Sequence, residues 1–179
     1  MRRLALIFTV ILSLLLTSCG TGAPPPAASD ILTAMLAAME DTAQTLPDGV
    51  IRLTAAPVGS PDRLTETFFS ALYGEAARGL LGDGTVQSPP VQDAALFLSV
   101  SPYPCELGVF RCADEDTARA VATLCRGRLD TLSRGYEDSE WAEVAAGGRV
   151  TVSGRYVLLA ICEDPAPVLD KARARAAGR

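Results

Sequence analysis

An α+β fold is predicted: a four-stranded, mainly antiparallel sheet in ββαββα order, with helices packed on one face and a helical N-terminal arm ahead of it. Three observations lead there. Ala94 to Val100 and Tyr156 to Cys162 are nearly unbroken apolar runs of strand length. Cys112-Ala113-Asp114 and Cys162-Glu163-Asp164 each carry a strand into a helix that an aspartate can cap. Before residue 92 the apolar residues recur mainly at helical spacing instead. At 179 residues, 49% apolar and 21% charged, the chain suits one ordinary domain and is too short for two large ones.

Residues 1–18 read as an export signal. Met1-Arg2-Arg3 is basic, and Leu4 to Leu16 is an apolar stretch of 13 residues. That is the length of a signal-peptide core and falls short of the about 20 residues that span a bilayer. The run closes on Leu16-Thr17-Ser18-Cys19, which resembles the bacterial lipobox. The resemblance implies cleavage between Ser18 and Cys19 and a diacylglyceryl thioether on Cys19, completed by fatty-acyl chains such as palmitate. One acyl chain gives a membrane partition constant on the order of 10⁴ M⁻¹, so two chains on one cysteine anchor the protein. Residues 19–29, with Pro24-Pro25-Pro26, favour extended polyproline II and read as a tether.

The domain is expected over residues 30–177, with the helical arm at 30–92 and the sheet–helix core at 94–177. Ser29 or Asp30 can cap a helix reaching about Leu46, its buried face set by Ile31, Leu32, Met35, Leu36 and Met39. Leu46-Pro47-Asp48-Gly49 stops it. Val50 to Ala55 alternates like a short edge strand. Ser60-Pro61 reads as a helix start, Leu64, Phe68, Phe69, Leu72 and Tyr73 as its stripe, and Gly74 as its stop. Residues 74–92 read as a loop. Ala94 to Val100 and Leu107 to Cys112 form a hairpin about Ser101-Pro102-Tyr103-Pro104. Asp114 caps a helix to about Arg134, with Ala118, Val121, Cys125, Leu129 and Leu132 facing inward. A helical turn over Trp141 to Ala146 ends at Gly147-Gly148. Val150 to Val152, the Ser153-Gly154 turn and Tyr156 to Cys162 repeat the hairpin. Asp164 and Pro165 then open a last helix lined by Val168, Leu169, Ala172 and Ala176.

Composition excludes more than it names. The chain has no histidine, which removes Ser–His–Asp and Cys–His nucleophile pairs and His-ligated zinc together. It has no asparagine, hence no N-glycosylation site, and Lys171 is its one lysine. Net charge is −5; losing residues 1–18 takes Arg2 and Arg3 and leaves −7. An acidic balance points away from nucleic acid, whose phosphates call for Lys and Arg.

Taken in order, the Leu16-Thr17-Ser18-Cys19 box, Glu106-Leu107-Gly108-Val109-Phe110-Arg111-Cys112 running into Asp114-Glu115-Asp116, Arg128-Leu129, Tyr136 and the Gly154 to Ile161 turn and strand resemble one family. It is the uncharacterised bacterial lipoprotein family catalogued as domain of unknown function 4358. The resemblance covers about Ala94 to Ala174. It implies a lipid-anchored protein on the extracytoplasmic face of the cell membrane and brings no catalytic residues with it.

Few residues carry chemistry. Cys105, Cys112, Cys125 and Cys162 show no C-x-x-C spacing, so they do not read as zinc ligands, and no cofactor is implied. Cys105 and Cys112 lie too far apart along one strand to bridge. The four cysteines read as buried free thiols or, for Cys112 with Cys162, as the one disulfide the sequence offers, provided that their strands are neighbours running in the same direction. Asp114-Glu115-Asp116 and Glu137, Asp138, Glu140 and Glu143 read as a helix cap and a solvated turn. Tyr103, between two prolines in the hairpin turn, is the candidate for a partner contact, the alternative being that it folds back over the sheet edge. The expectation is therefore a non-catalytic binding or interaction module with a protein or envelope partner. The alternative is a cell-envelope hydrolase using paired carboxylates.

Overall fold

The computed structural model describes residues 24–82 and 88–178. The expected signal segment, with Ser18 and Cys19, lies outside these residues. Among these residues, besides a 3₁₀ turn at Glu75–Ala77, ten helices and strands follow in chain order: α1 (Ala28–Asp41), β1 (Gly49–Leu53), α2 (Glu66–Tyr73), β2 (Val91–Ser99), β3 (Glu106–Cys112), α3 (Glu115–Gly135), α4 (Ala142–Ala146), β4 (Arg149–Ser153), β5 (Tyr156–Ile161) and α5 (Pro165–Ala176). The fold is α+β. Its sheet has five strands, ordered β1-β2-β3-β5-β4, with every neighbouring pair antiparallel.

Two features of this architecture correct the sequence expectation. The sheet gains β1 as an edge, Gly49 to Leu53 pairing with Ser99 to Ala95. The helices cover both faces, not one. Ile31, Met35 and Met39 of α1 pack with Val168 and Ala172 of α5 over Phe97, Leu107 and Leu158. Phe69 of α2 and Val121 and Cys125 of α3 cover Leu96, Phe110 and Leu159 on the other side. The physical reason is β5: all six of its residues are buried, so water must be excluded from both of its faces. The segment before residue 92 is thus no arm, because α1 is half of one covering layer.

Capping explains most element boundaries, and three of them lie elsewhere than expected. Neither Ser29 nor Asp30 caps α1; the Ala28 N–H donates to the Asp93 carboxylate on β2 at 2.8 Å, a long-range cap of favourable charge. The helix stops at Asp41, short of Leu46, because Ala43 turns left-handed (φ 53°). The Ala43 and Gln44 N–H groups then reach back to the carbonyls of Glu40 and Met39, a Schellman closure. Helix α2 starts at Glu66, after the Thr65 cap, and not at Pro61. Ser60 to Leu64 instead returns to β1, where Leu53 N–H donates to Asp62 O and Leu64 N–H to Leu53 O. Asp114 and Asp164 cap α3 and α5 as their positions predict, accepting from the N–H groups of Thr117 and Ala166.

Candidate functional site

Strand β3 opens with Glu106, a carboxylate ahead of the apolar run Leu107 to Phe110, and the fold buries it to 3% exposure. A lone buried carboxylate is costly unless it is paired and hydrogen-bonded. Here Arg128 of α3 donates to Oε2 from Nε at 3.0 Å and from Nη2 at 2.9 Å. Tyr73 of α2 donates its hydroxyl to Oε1 at 2.9 Å. Burial, then the adjacent Glu106 charge, push the Tyr73 hydroxyl well above its ordinary range, so it remains a proton donor at neutral pH. The triad ties α2, β3 and α3 together at one end of the sheet. Around Tyr73, Phe69 and Phe110 close an aromatic cluster with ring centroids 4.8–5.6 Å apart.

Beside the triad lies a notch of about 80 Å³ lined by Ser99, Ser101, Tyr103, Arg128 and Tyr136, among others. It is well below the roughly 300–1,000 Å³ typical of small-molecule sites. Glu106 is the one carboxylate among its lining residues, and both oxygens are engaged. Larger depressions, such as the 380 Å³ hollow along Gly49, Val50, Ile51, Leu53 and Asp62 at the β1 edge, are open to solvent.

Tyr103 is not an exposed contact; of its two readings, the one in which it folds back agrees with the structure. Its ring is 7% exposed and stands edge-to-face on Trp141, centroids 5.0 Å apart. The proline-framed turn folds back because the aromatic area gains more from Trp141 than from water. Its hydroxyl is buried with no hydrogen-bond partner among the described residues.

The Cys112–Cys162 disulfide is likewise corrected. Strands β3 and β5 are neighbours but antiparallel, which sends the two thiols to opposite ends of the sheet. The Cys112 N–H donates to Arg155 O, while Cys162 follows Ile161, the partner of Glu106. All four described cysteines are free and buried. Burial pushes Cys105, Cys112 and Cys162 up to about 12 and raises Cys125 well above the ordinary thiol range, so none offers a thiolate nucleophile near pH 7. Among the described residues no three His, Cys, Asp or Glu side chains gather as a metal site.

The proline-rich segment meets the domain at the far end of the sheet from the notch. Tyr156 donates its hydroxyl to Pro26 O at 2.7 Å, two residues ahead of the Ala28–Asp93 cap. No described helix is long and apolar enough to cross a membrane.

Glu106, Arg128 and Tyr73 had no part in the expected site. A signal for two of them was present: Glu106 adjoins the apolar run Leu107 to Phe110, and Arg128 occupies the stripe Ala118, Val121, Cys125, Leu132 at helical spacing. Two opposite charges in two buried stripes are a pair waiting to be matched. Comparison with protein-family models, curated proteins and solved structures finds no match to this chain.

Proposed function

We propose that the protein is a lipid-anchored lipoprotein on the extracytoplasmic face of the cell membrane, of the domain of unknown function 4358 type, and that its domain is a non-catalytic binding or interaction module. The observation that carries this reading is the N-terminal series: a basic start, an almost uninterrupted apolar stretch of 13 residues, Leu16-Thr17-Ser18-Cys19 and a proline-rich tether. The notch supports the non-catalytic reading over a paired-carboxylate hydrolase. Its carboxylate, Glu106, neutralises Arg128 and faces no second acid there.

Tether length adds an orientation. Seven residue steps separate Cys19 from Pro26, at most about 25 Å of fully extended chain. The sheet end carrying Tyr156, Asp93 and the β4–β5 turn then stands next to the bilayer. The notch and Trp141 face away from it, toward a partner.

The test is Cys19→Ala. Wild type should partition with detergent and carry acylated Cys19 as its first residue, whereas the variant should accumulate unprocessed or be released. Wild-type protein that is freely soluble after export, with its N-terminus cut elsewhere, overturns the anchor. A spin label at Ser153 should sense lipid-soluble relaxants, and one at Ser101 should not; the reverse overturns the orientation.

A further inference from the structure

The register of β3 and β5 sets two cysteines face to face. The ladder ends at Glu106 paired with Ile161, and continuing its register by one step sets Cys105, just ahead of β3, against Cys162, just after β5. Antiparallel pairs alternate between hydrogen-bonded and non-hydrogen-bonded. The Cys112 N–H donates to Arg155 O, which puts 110/157, 108/159 and 106/161 in the hydrogen-bonded class and 105/162 in the other. A second observation agrees: Ser99 N–H donates to Cys105 O at 2.9 Å, so the main-chain carbonyl of Cys105 serves β2 and not β5. Opposed residues of the non-hydrogen-bonded class bring their Cα atoms to about 4.5 Å, within the roughly 4.4–6.8 Å of disulfides.

Both side chains also share a face. They lie in the core covered by α1 and α5 together with Tyr103, with Cys105 3% and Cys162 0% exposed. Cys112 and Cys125 belong to the core on the opposite face, so neither can intervene.

We propose that Cys105 and Cys162 form a redox site, a cross-strand disulfide closed by a disulfide donor of the glutathione or thiol-oxidoreductase class. One thiolate attacks a sulfur of the donor, breaking its S–S bond, forming a mixed disulfide and releasing one donor thiol. The second cysteine loses its proton, attacks the mixed disulfide and releases the other donor thiol. The pair gives up two protons and two electrons, and the donor is reduced to two thiols. Because burial holds both thiols at about 12, the reactive thiolate is scarce in the folded domain. Closure therefore belongs to folding, before this end of the sheet is sealed. Once formed, the bond fastens the Tyr103 turn to the start of α5, beside the notch.

The test uses the wild-type full chain, reduced and unfolded in urea, then refolded in a mixture of reduced and oxidised glutathione until its thermal transition returns. Alkylation, digestion and mass spectrometry should recover Cys105 and Cys162 as one linked peptide pair and Cys112 and Cys125 as alkylated peptides. In the unreduced, denatured chain the free thiols among these four should fall from four to two. Recovery of Cys105 and Cys162 both alkylated, or of either linked to any other cysteine, overturns the proposal. Reading peptide by peptide keeps the outcome independent of what Cys19 carries, and so of the anchor.

Discussion

Glu106 and Arg128 show how a charge pair can be a structural necessity in an otherwise apolar core. Arg128 keeps its side chain 19% exposed while Glu106 is almost wholly enclosed, so the cost of separating them falls on the carboxylate. Arg128→Leu should destabilise the domain by about 3–5 kcal/mol, because it leaves a buried carboxylate with only the Tyr73 hydroxyl. Adding Glu106→Leu to that variant should restore much of the loss, since the uncompensated charge is gone. Urea denaturation of wild type, both single variants and the double variant measures both effects; additive losses would mean that the pair is not coupled. Each half of this pair was legible as an anomaly in its own stripe. Their meeting was not, because it depends on α3 crossing the start of β3.

At the level of single elements, helix termini were the easiest features to read where the cap is local and the hardest where it is distant. Asp114 and Asp164 stand next to the helices they cap and were recognisable. The cap of α1 comes from Asp93, 65 residues away, and no neighbouring residue announces it. The C-terminus of α1 was misplaced because its left-handed closing residue is Ala43 and not glycine. Such a conformation strains an alanine, so Ala43→Gly should stabilise the protein by about 0.5–1 kcal/mol, net of the extra chain entropy of glycine. A higher denaturation midpoint checks this, and a lower one would mean that the closure carries no strain. Gly49 is the opposite case: a Cβ there would lie 2.4 Å from the Phe97 ring, so the small residue is required by packing across β1 and β2.

Seen as a single folded body, the protein encloses titratable groups that ionise readily only when it opens. Burial moves the Cys105, Cys112 and Cys162 thiols from 9.0 to about 12, and raises Tyr73 and Cys125 as well. Folded values above unfolded ones mean that the native state binds more protons between them. The stabilisation is complete below about pH 9 and is lost as pH rises toward 12. Kept reduced, the protein should show a thermal midpoint that is flat from pH 7 to 8.5 and falls steadily above it. A midpoint unchanged up to pH 11 would mean that the thiols ionise within the folded state.

What the amino-acid sequence determined alone is short-range. The α+β class, the two hairpins of the C-terminal half, the helices they feed and the aspartates that cap them follow from periodicity and neighbouring caps, which act over a few residues. What only the tertiary structure decided is non-local. The apolar runs at Ala94 and Tyr156 announced strands buried on both faces, yet which segments would supply the two covers was not written in either run. Strand order and direction settle that, by joining α1 to α5 across one face and α2 to α3 across the other. The same closure turns Tyr103 inward and parts Cys112 from Cys162. It also brings Glu106 to Arg128 and Cys105 to Cys162, since contacts between distant segments form only when the sheet fixes its register.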